Sequence, residues 1–149
     1  SDLGADLVLE RSPHDWLSEA LKHVPTGFDV ILDVIAGEEV DRNLRACAHR
    51  GTIVQVGLMG GGTTAVNVGM LLAKRLSWIG TTLRARPLEE KIAVSRRFAR
   101  EVLPLFEAGT MHPVIDRRFA FDEVALAHSY MESNANIGKI LLDVNPSVA

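Results

Sequence analysis

The run from Phe28 to Gly62 constrains the fold more than any other stretch. Phe28–Val34, Phe-Asp-Val-Ile-Leu-Asp-Val, reads as a buried strand, and Ile35-Ala36-Gly37 turns out of it. Glu38–Arg50 reads as a helix with Val40, Leu44, Cys47 and Ala48 on its inner face. Glu38 and Glu39 suit its positive end, and His49 and Arg50 its negative end. Gly51 is expected to cap it. Thr52–Leu58 is then a second strand. Its Ile53, Val54 and Val56 are β-branched or bulky enough for a sheet covered on both faces. It opens at Gly57 into Gly60-Gly61-Gly62. Two strands joined through a helix are parallel, and the crossover is right-handed. In such layers a ligand sits outside the carboxyl ends of the strands. Glycines at the exit let it approach the main chain.

The flanking sequence extends the pattern. Ala5–Glu10 is a strand candidate, and Ser12-Pro13-His14-Asp15 reads as a helix start. Trp16, Leu17, Ala20, Leu21 and Val24 form its apolar face, and Pro25-Thr26-Gly27 ends it. Beyond the glycines, Val68–Lys74 is a short helix and Ser77–Leu83 a further strand. Pro87 opens the longest helix, Pro104 ends its regular part and Gly109 closes it. Pro113–Phe119, Phe121–Glu132 and Ile137–Val144 then read as strand, helix and strand. The fold class is α/β: a parallel sheet followed by a C-terminal strand–helix–strand segment.

A chain of 149 residues, 47% hydrophobic, can build a real core. A net charge of −3 gives no case for a nucleic-acid or anionic-membrane surface. Lys74 and Arg75 interrupt the longest apolar run, so no membrane span is expected. The single cysteine, Cys47, excludes an internal disulfide and a multi-cysteine zinc site, and a reducing cytoplasm is the simplest setting.

No catalytic side chain declares itself. No G-x-G-x-x-G occurs, so the pyrophosphate turn of a dinucleotide site is not in this sequence. His14, His23, His49, His112 and His128 show no metal-ligand spacing. Cys47, on an apolar helix face, is expected to be a buried, inert thiol. Asp33, at a strand end, either caps the turn or meets a ligand, with the cap favoured. Arg84 and Arg86 follow a strand's carboxyl end and have a better claim to a functional site than Arg96, Arg97 and Arg100, which read as a solvated helix face.

The ordered set of motifs resembles the C-terminal half of the zinc-independent quinone oxidoreductases of the medium-chain dehydrogenase/reductase superfamily. The resemblance runs through Leu3-Gly4-Ala5-Asp6, Phe28–Gly37, Val56–Gly62, Thr82-Leu83-Arg84-Ala85-Arg86, Phe119-Ala120-Phe121, Ala127-His128, Met131-Glu132 and Asn136-Ile137-Gly138-Lys139-Ile140. It implies a partial Rossmann-type, doubly wound parallel sheet, a fragment without the family's first two strands. Residues 1–110 would belong to the NADP-binding domain, and 111–149 to a segment that returns to the catalytic domain.

The same resemblance implies NADPH as cofactor and a quinone as substrate, with an enoyl reductase of the superfamily as the alternative. A non-catalytic α/β binding module is the alternative from another class. Val34 and Ile35 would line the cofactor's path from adenosine to nicotinamide. Gly57, Leu58, Met59, Thr81, Thr82 and Leu83 would lie beside the nicotinamide half, and Asn136 would hydrogen-bond the cofactor. A side chain at Gly57 would then cost more in cofactor affinity than in folding. Ser77–Leu83 would pair across a homodimer, and Ile79→Pro is the substitution expected to break that pairing.

Overall fold

The computed structural model describes residues 4–10 and 15–144. The expected helix start at Ser12-Pro13-His14 lies outside these residues. The chain divides into two compact units, at Arg86 and Pro87. In the first, α1 (Trp16–His23) is followed by β1 (Phe28–Asp33), α2 (Glu39–Ala46), β2 (Cys47–Gln55), α3 (Val68–Lys74) and β3 (Ser77–Gly80). Asp15 caps α1 by accepting from the Ser18 N–H at 3.4 Å. The three strands form a parallel sheet in the order β1-β2-β3, with Ile31 beside Ile53 and Ile53 beside Trp78. The parallel α/β layer expected from the sequence is present.

The core lies between this sheet and the helices α2 and α3. Ala36, Val40, Leu44, Cys47 and Ile53 are buried together, with Ile31, Val66, Met70, Leu71 and Leu76 packed against them. Period-two alternation turns Val30 and Leu32 to the opposite face, where they remain 67% and 68% exposed. One face of β1 is thus open, against the expectation of a sheet covered on both sides.

The strand expected over Ser77–Leu83 stops at Gly80, where the chain turns away toward Arg86, and two larger differences from the sequence reading stand beside it. The helix expected over Glu38–Arg50 ends at Ala46, and Cys47 to Gly51 belong to β2. One partner at this end is Lys74, the last residue of α3. Its ammonium donates to the carbonyls of Leu44, Arg45 and Cys47 at 3.1, 2.7 and 2.8 Å. Carbonyls at a helix C-terminus lack partners within the helix, and a cation both pairs them and matches the dipole. Cys47 is buried as expected, but at the head of a strand, and loss of solvation holds its thiol above the usual range. The second difference is Ala5–Glu10, which forms no strand. A strand needs a neighbour, and β1 pairs only with β2 among the described residues.

The second unit begins with α4 (Leu88–Glu101) and α5 (Leu103–Glu107). Pro104 stands in the first turn of α5, where a missing N–H costs nothing. Then come β4 (Ile115–Ala120), a short 3-10 turn over Phe121–Glu123, α6 (Val124–Glu132) and β5 (Lys139–Asp143). β4 and β5 pair in parallel, and α6 packs on both. This is the expected strand–helix–strand segment.

Candidate functional site

The exits of β1, β2 and β3 gather most of the residues singled out in the sequence. Asp33 ends β1 and is only 5% exposed. Its carboxylate accepts from the Ile35 N–H at 2.6 Å, the Ala36 N–H at 3.2 Å and the Asn43 side-chain amide at 3.0 Å. These bonds fix the turn that carries Val34 and Ile35 and tie it to α2. Asp33 is a structural hub, and its partner Asn43 lies ten residues away on another element, where the sequence offered no cue.

The β1 and β2 exits are laced together by their main chains. Val56 donates to the Asp33 carbonyl at 2.8 Å, Met59 to that of Val34 at 3.2 Å, and Gly60 to that of Ile35 at 2.7 Å. This close approach explains two glycines. A Cβ on Gly57 would stand 2.6 Å from the Val34 carbonyl oxygen, and one on Gly37 would stand 2.2 Å from that of Gly60. Gly37 also has φ +57°, in the left-handed region. The obstacle at Gly57 is the backbone just past the end of β1, so a side chain there should disturb folding at least as much as ligand binding.

Between the β2 and β3 exits lies an open cleft of about 590 Å³, lined by Gln55, Val56, Gly57, Leu58, Gly80, Thr81 and Thr82. Four of the expected site residues, Gly57, Leu58, Thr81 and Thr82, meet here. Val34 and Ile35 line a second hollow of about 240 Å³ with Leu9, Trp16, Leu32, Asp33, Glu39 and Asn43. Met59 and Leu83 line neither hollow and are 80% and 59% exposed. Asn136 belongs to the second unit. Its side-chain amide donates to the Gly138 carbonyl at 3.1 Å.

Two residues shape the cleft in ways the sequence did not signal. The Gln55 amide donates to the carbonyls of Asp33 at 3.2 Å and Gly57 at 2.8 Å. Those two acceptors fix the amide's orientation, and Gln55 Oε1 is left buried without a partner. Arg86 reaches back to the β3 exit, donating to Thr81 Oγ1 at 2.7 Å and to the Thr82 carbonyl at 2.8 Å. Of the two arginines weighed in the sequence, Arg86 braces the site, whereas Arg84 is exposed.

Chemically, the cleft offers main chain and two hydroxyls, with no acid–base pair among its lining residues. It can bind and orient a flat ligand bearing N–H donors. Among the described residues, no three His, Cys, Asp or Glu side chains converge on a point that could hold a metal. No helix among them is long and apolar enough to cross a membrane.

Comparison with known proteins places these features in a lineage. A family described as zinc-binding dehydrogenase matches residues 3–142. A human quinone oxidoreductase is 27% identical over 149 aligned positions, covering 93% of this chain and 44% of its own. Polyketide synthase GfsB from Streptomyces halstedii is 33% identical, covering 98% of this chain and 3% of its own. The crystal structure of an NAD-dependent alcohol dehydrogenase superposes with a TM-score of 0.78 at 24% identity, covering 97% of this chain and 39% of that one. At that identity the likeness shows the fold alone. The chain spans less than half the length of each of these proteins.

Proposed function

The chain belongs to the zinc-binding dehydrogenase family, and from that premise we propose that it is the cofactor-side portion of an oxidoreductase that moves hydride from NADPH to a quinone. The observation that carries this reading is the cleft at the β2 and β3 exits, built of main chain and small side chains without an acid–base pair. A bound nicotinamide supplies the hydride itself, so the protein need only bind and aim it. The human relative named as a quinone oxidoreductase supports the choice of substrate. NADPH over NADH follows the resemblance.

In this reading Gly57, Leu58, Thr81 and Thr82 flank the nicotinamide half of the cofactor, with Met59 and Leu83 at the rim. Val34 and Ile35 line its path toward the adenosine, and Asn136 adds a hydrogen bond. Residues 1–110 serve the cofactor domain and 111–149 return to the catalytic domain, in a cytoplasmic protein. No metal set lies among the described residues, and none of these roles is routed through zinc.

The test compares the full-length protein with this chain alone. The full-length protein should oxidise NADPH in the presence of an ortho-quinone. The isolated chain should stay at background, because it lacks the glycine turn that seats a pyrophosphate on a helix N-terminus. Turnover by the isolated chain near the full-length rate would sink the fragment reading. A full-length protein inert toward quinones but active on an enoyl thioester would select the enoyl reductase reading. A protein that fails to bind NADPH would leave the binding-module alternative.

Assembly follows from the open edge of β3, which pairs with β2 alone among the described strands and is exposed along its length. We infer a homodimer in which Ser77–Leu83 pairs with its symmetry mate. The Thr81 N–H donates to the Gln55 carbonyl at 3.0 Å. Alternation along the strand then turns the Ile79 N–H toward β2 as well. Ile79→Pro would break the sheet instead of the edge. The donor to remove is Gly80, where a Cβ would meet nothing within 4 Å. By light scattering the full-length protein should be a dimer and Gly80→Pro a folded monomer. A wild-type monomer, or a fully dimeric Gly80→Pro, rules the interface out.

A further inference from the structure

The loop from Ser133 to Gly138, between α6 and β5, carries Asn136 and is held by polar bonds. Asp116, in β4, accepts from the Ile137 N–H through Oδ1 at 2.8 Å. The Lys139 N–H donates to the Val114 carbonyl at 2.8 Å and opens the pairing of β5. The Ile137 side chain is 78% exposed, so burial does not place this residue; the bond from Asp116 does.

Asp116 is itself held. The Tyr130 hydroxyl, from α6, acts on the same carboxylate. The bond from Ile137 keeps the carboxyl below the usual carboxylate range, so it is present in its accepting form. Arg117 stands 4.1 Å over the Tyr130 ring, and Phe119 packs at 6.1 Å between ring centres. One carboxylate on β4 thus holds the peptide unit that follows Asn136, while Arg117 and Phe119 of the same strand brace Tyr130 of α6.

We propose that Asp116 is a positioning residue: by holding the Ile137 N–H it sets the direction in which Asn136 presents its amide to the cofactor. This rests on the reading of Asn136 as a cofactor contact. Fixing a polar group before binding removes an ordering cost from affinity, and the effect of losing it appears in the cofactor dissociation constant.

The experiment uses the full-length protein and titrates NADPH against wild type, Asp116→Ala, Asn136→Ala and the double variant, with thermal midpoints measured alongside. Asp116→Ala and Asn136→Ala should each raise the dissociation constant about tenfold, the size of one lost hydrogen bond to a charged or well-placed group. The double variant should be no weaker than either single, because both remove the same contact. Asp116→Asn keeps an acceptor for the Ile137 N–H and should recover most of the affinity. Amide exchange in the cofactor-free protein should accelerate at Ile137 in Asp116→Ala while Lys139 stays protected. Should Asp116→Ala not fold, Ile137→Pro removes the donor from the other side at an exposed position, and it should raise the constant by the same factor.

The outcomes separate two failures. An unchanged constant for Asn136→Ala overturns Asn136 as a contact, and the positioning role falls with it. A weakened Asn136→Ala beside an Asp116→Ala that lowers only the thermal midpoint overturns the positioning role alone. Additive losses in the double variant, or unchanged exchange at Ile137, do the same.

Discussion

Asp33→Ala should destabilise the fold by about 4 kcal/mol. The substitution removes one small side chain, yet it withdraws the acceptor from three N–H groups, those of Ile35, Ala36 and the Asn43 amide. Each donor left buried without a partner costs roughly 1–3 kcal/mol, and the three share one site, so their costs do not simply add. Asp33→Asn should lose about half as much, since it keeps one acceptor for the two backbone donors but turns an amide toward Asn43. Urea unfolding of the two variants checks this. Equal losses for Ala and Asn would mean that charge, not acceptor count, holds the turn. A loss below about 1 kcal/mol for Asp33→Ala would remove Asp33 as the hub of the β1 exit.

Gly57→Val should cost about 3 kcal/mol and lower the thermal midpoint by roughly 10 °C. A Cβ on Gly57 would lie 2.6 Å from the Val34 carbonyl oxygen and 3.1 Å from its Cα. Both are backbone atoms, so no side-chain rotation relieves the overlap. The strands must part, and that stretches the bonds from Met59 to Val34 and from Gly60 to Ile35. Affinity for NADPH should fall as well, because the same shift moves one wall of the cleft. The order of the effects is what decides: a midpoint within about 2 °C of wild type, alongside weakened binding, would restore ligand space as the reason for this glycine.

The elements that were legible in the sequence are those whose signals are local. Val68–Lys74 is helical where expected, with Asn67 capping it by accepting from the Met70 N–H at 3.1 Å. The β-branched runs of β1 and β2 and the apolar run of β5 became strands for the same reason. The C-terminal strand–helix–strand order also followed from local periodicity. What stayed hidden depends on distant partners. The sequence from Glu38 to Arg50 favours a helix throughout, and its stop at Ala46 goes with two distant partners, Lys74 on its last carbonyls and Phe28 beside Cys47. Ala5–Glu10 has the composition of a strand, yet it forms none, and β1 pairs with β2 alone among the described residues.

The site shows the same division. Gly57, Leu58, Thr81 and Thr82 came together because strand exits in a parallel sheet share one end, a rule that needs no contact information. Val34 and Ile35 fell into the adjoining hollow for the same reason. Gln55 was missed because its importance lies in two carbonyls on different loops. The Asp33–Asn43 bond joins a strand end to the middle of a helix, which no spacing rule anticipates.

The reach of Lys74 also sets where this fold can be divided. By connectivity, β1, α2 and β2 look like a self-contained module that could be exchanged between relatives with a splice after Gln55. Such a splice would carry away the carbonyls of Leu44, Arg45 and Cys47 and leave their ammonium partner behind on α3. The smallest transferable block runs on through Lys74, and recombination within this sheet has to respect a seam that chain order does not reveal.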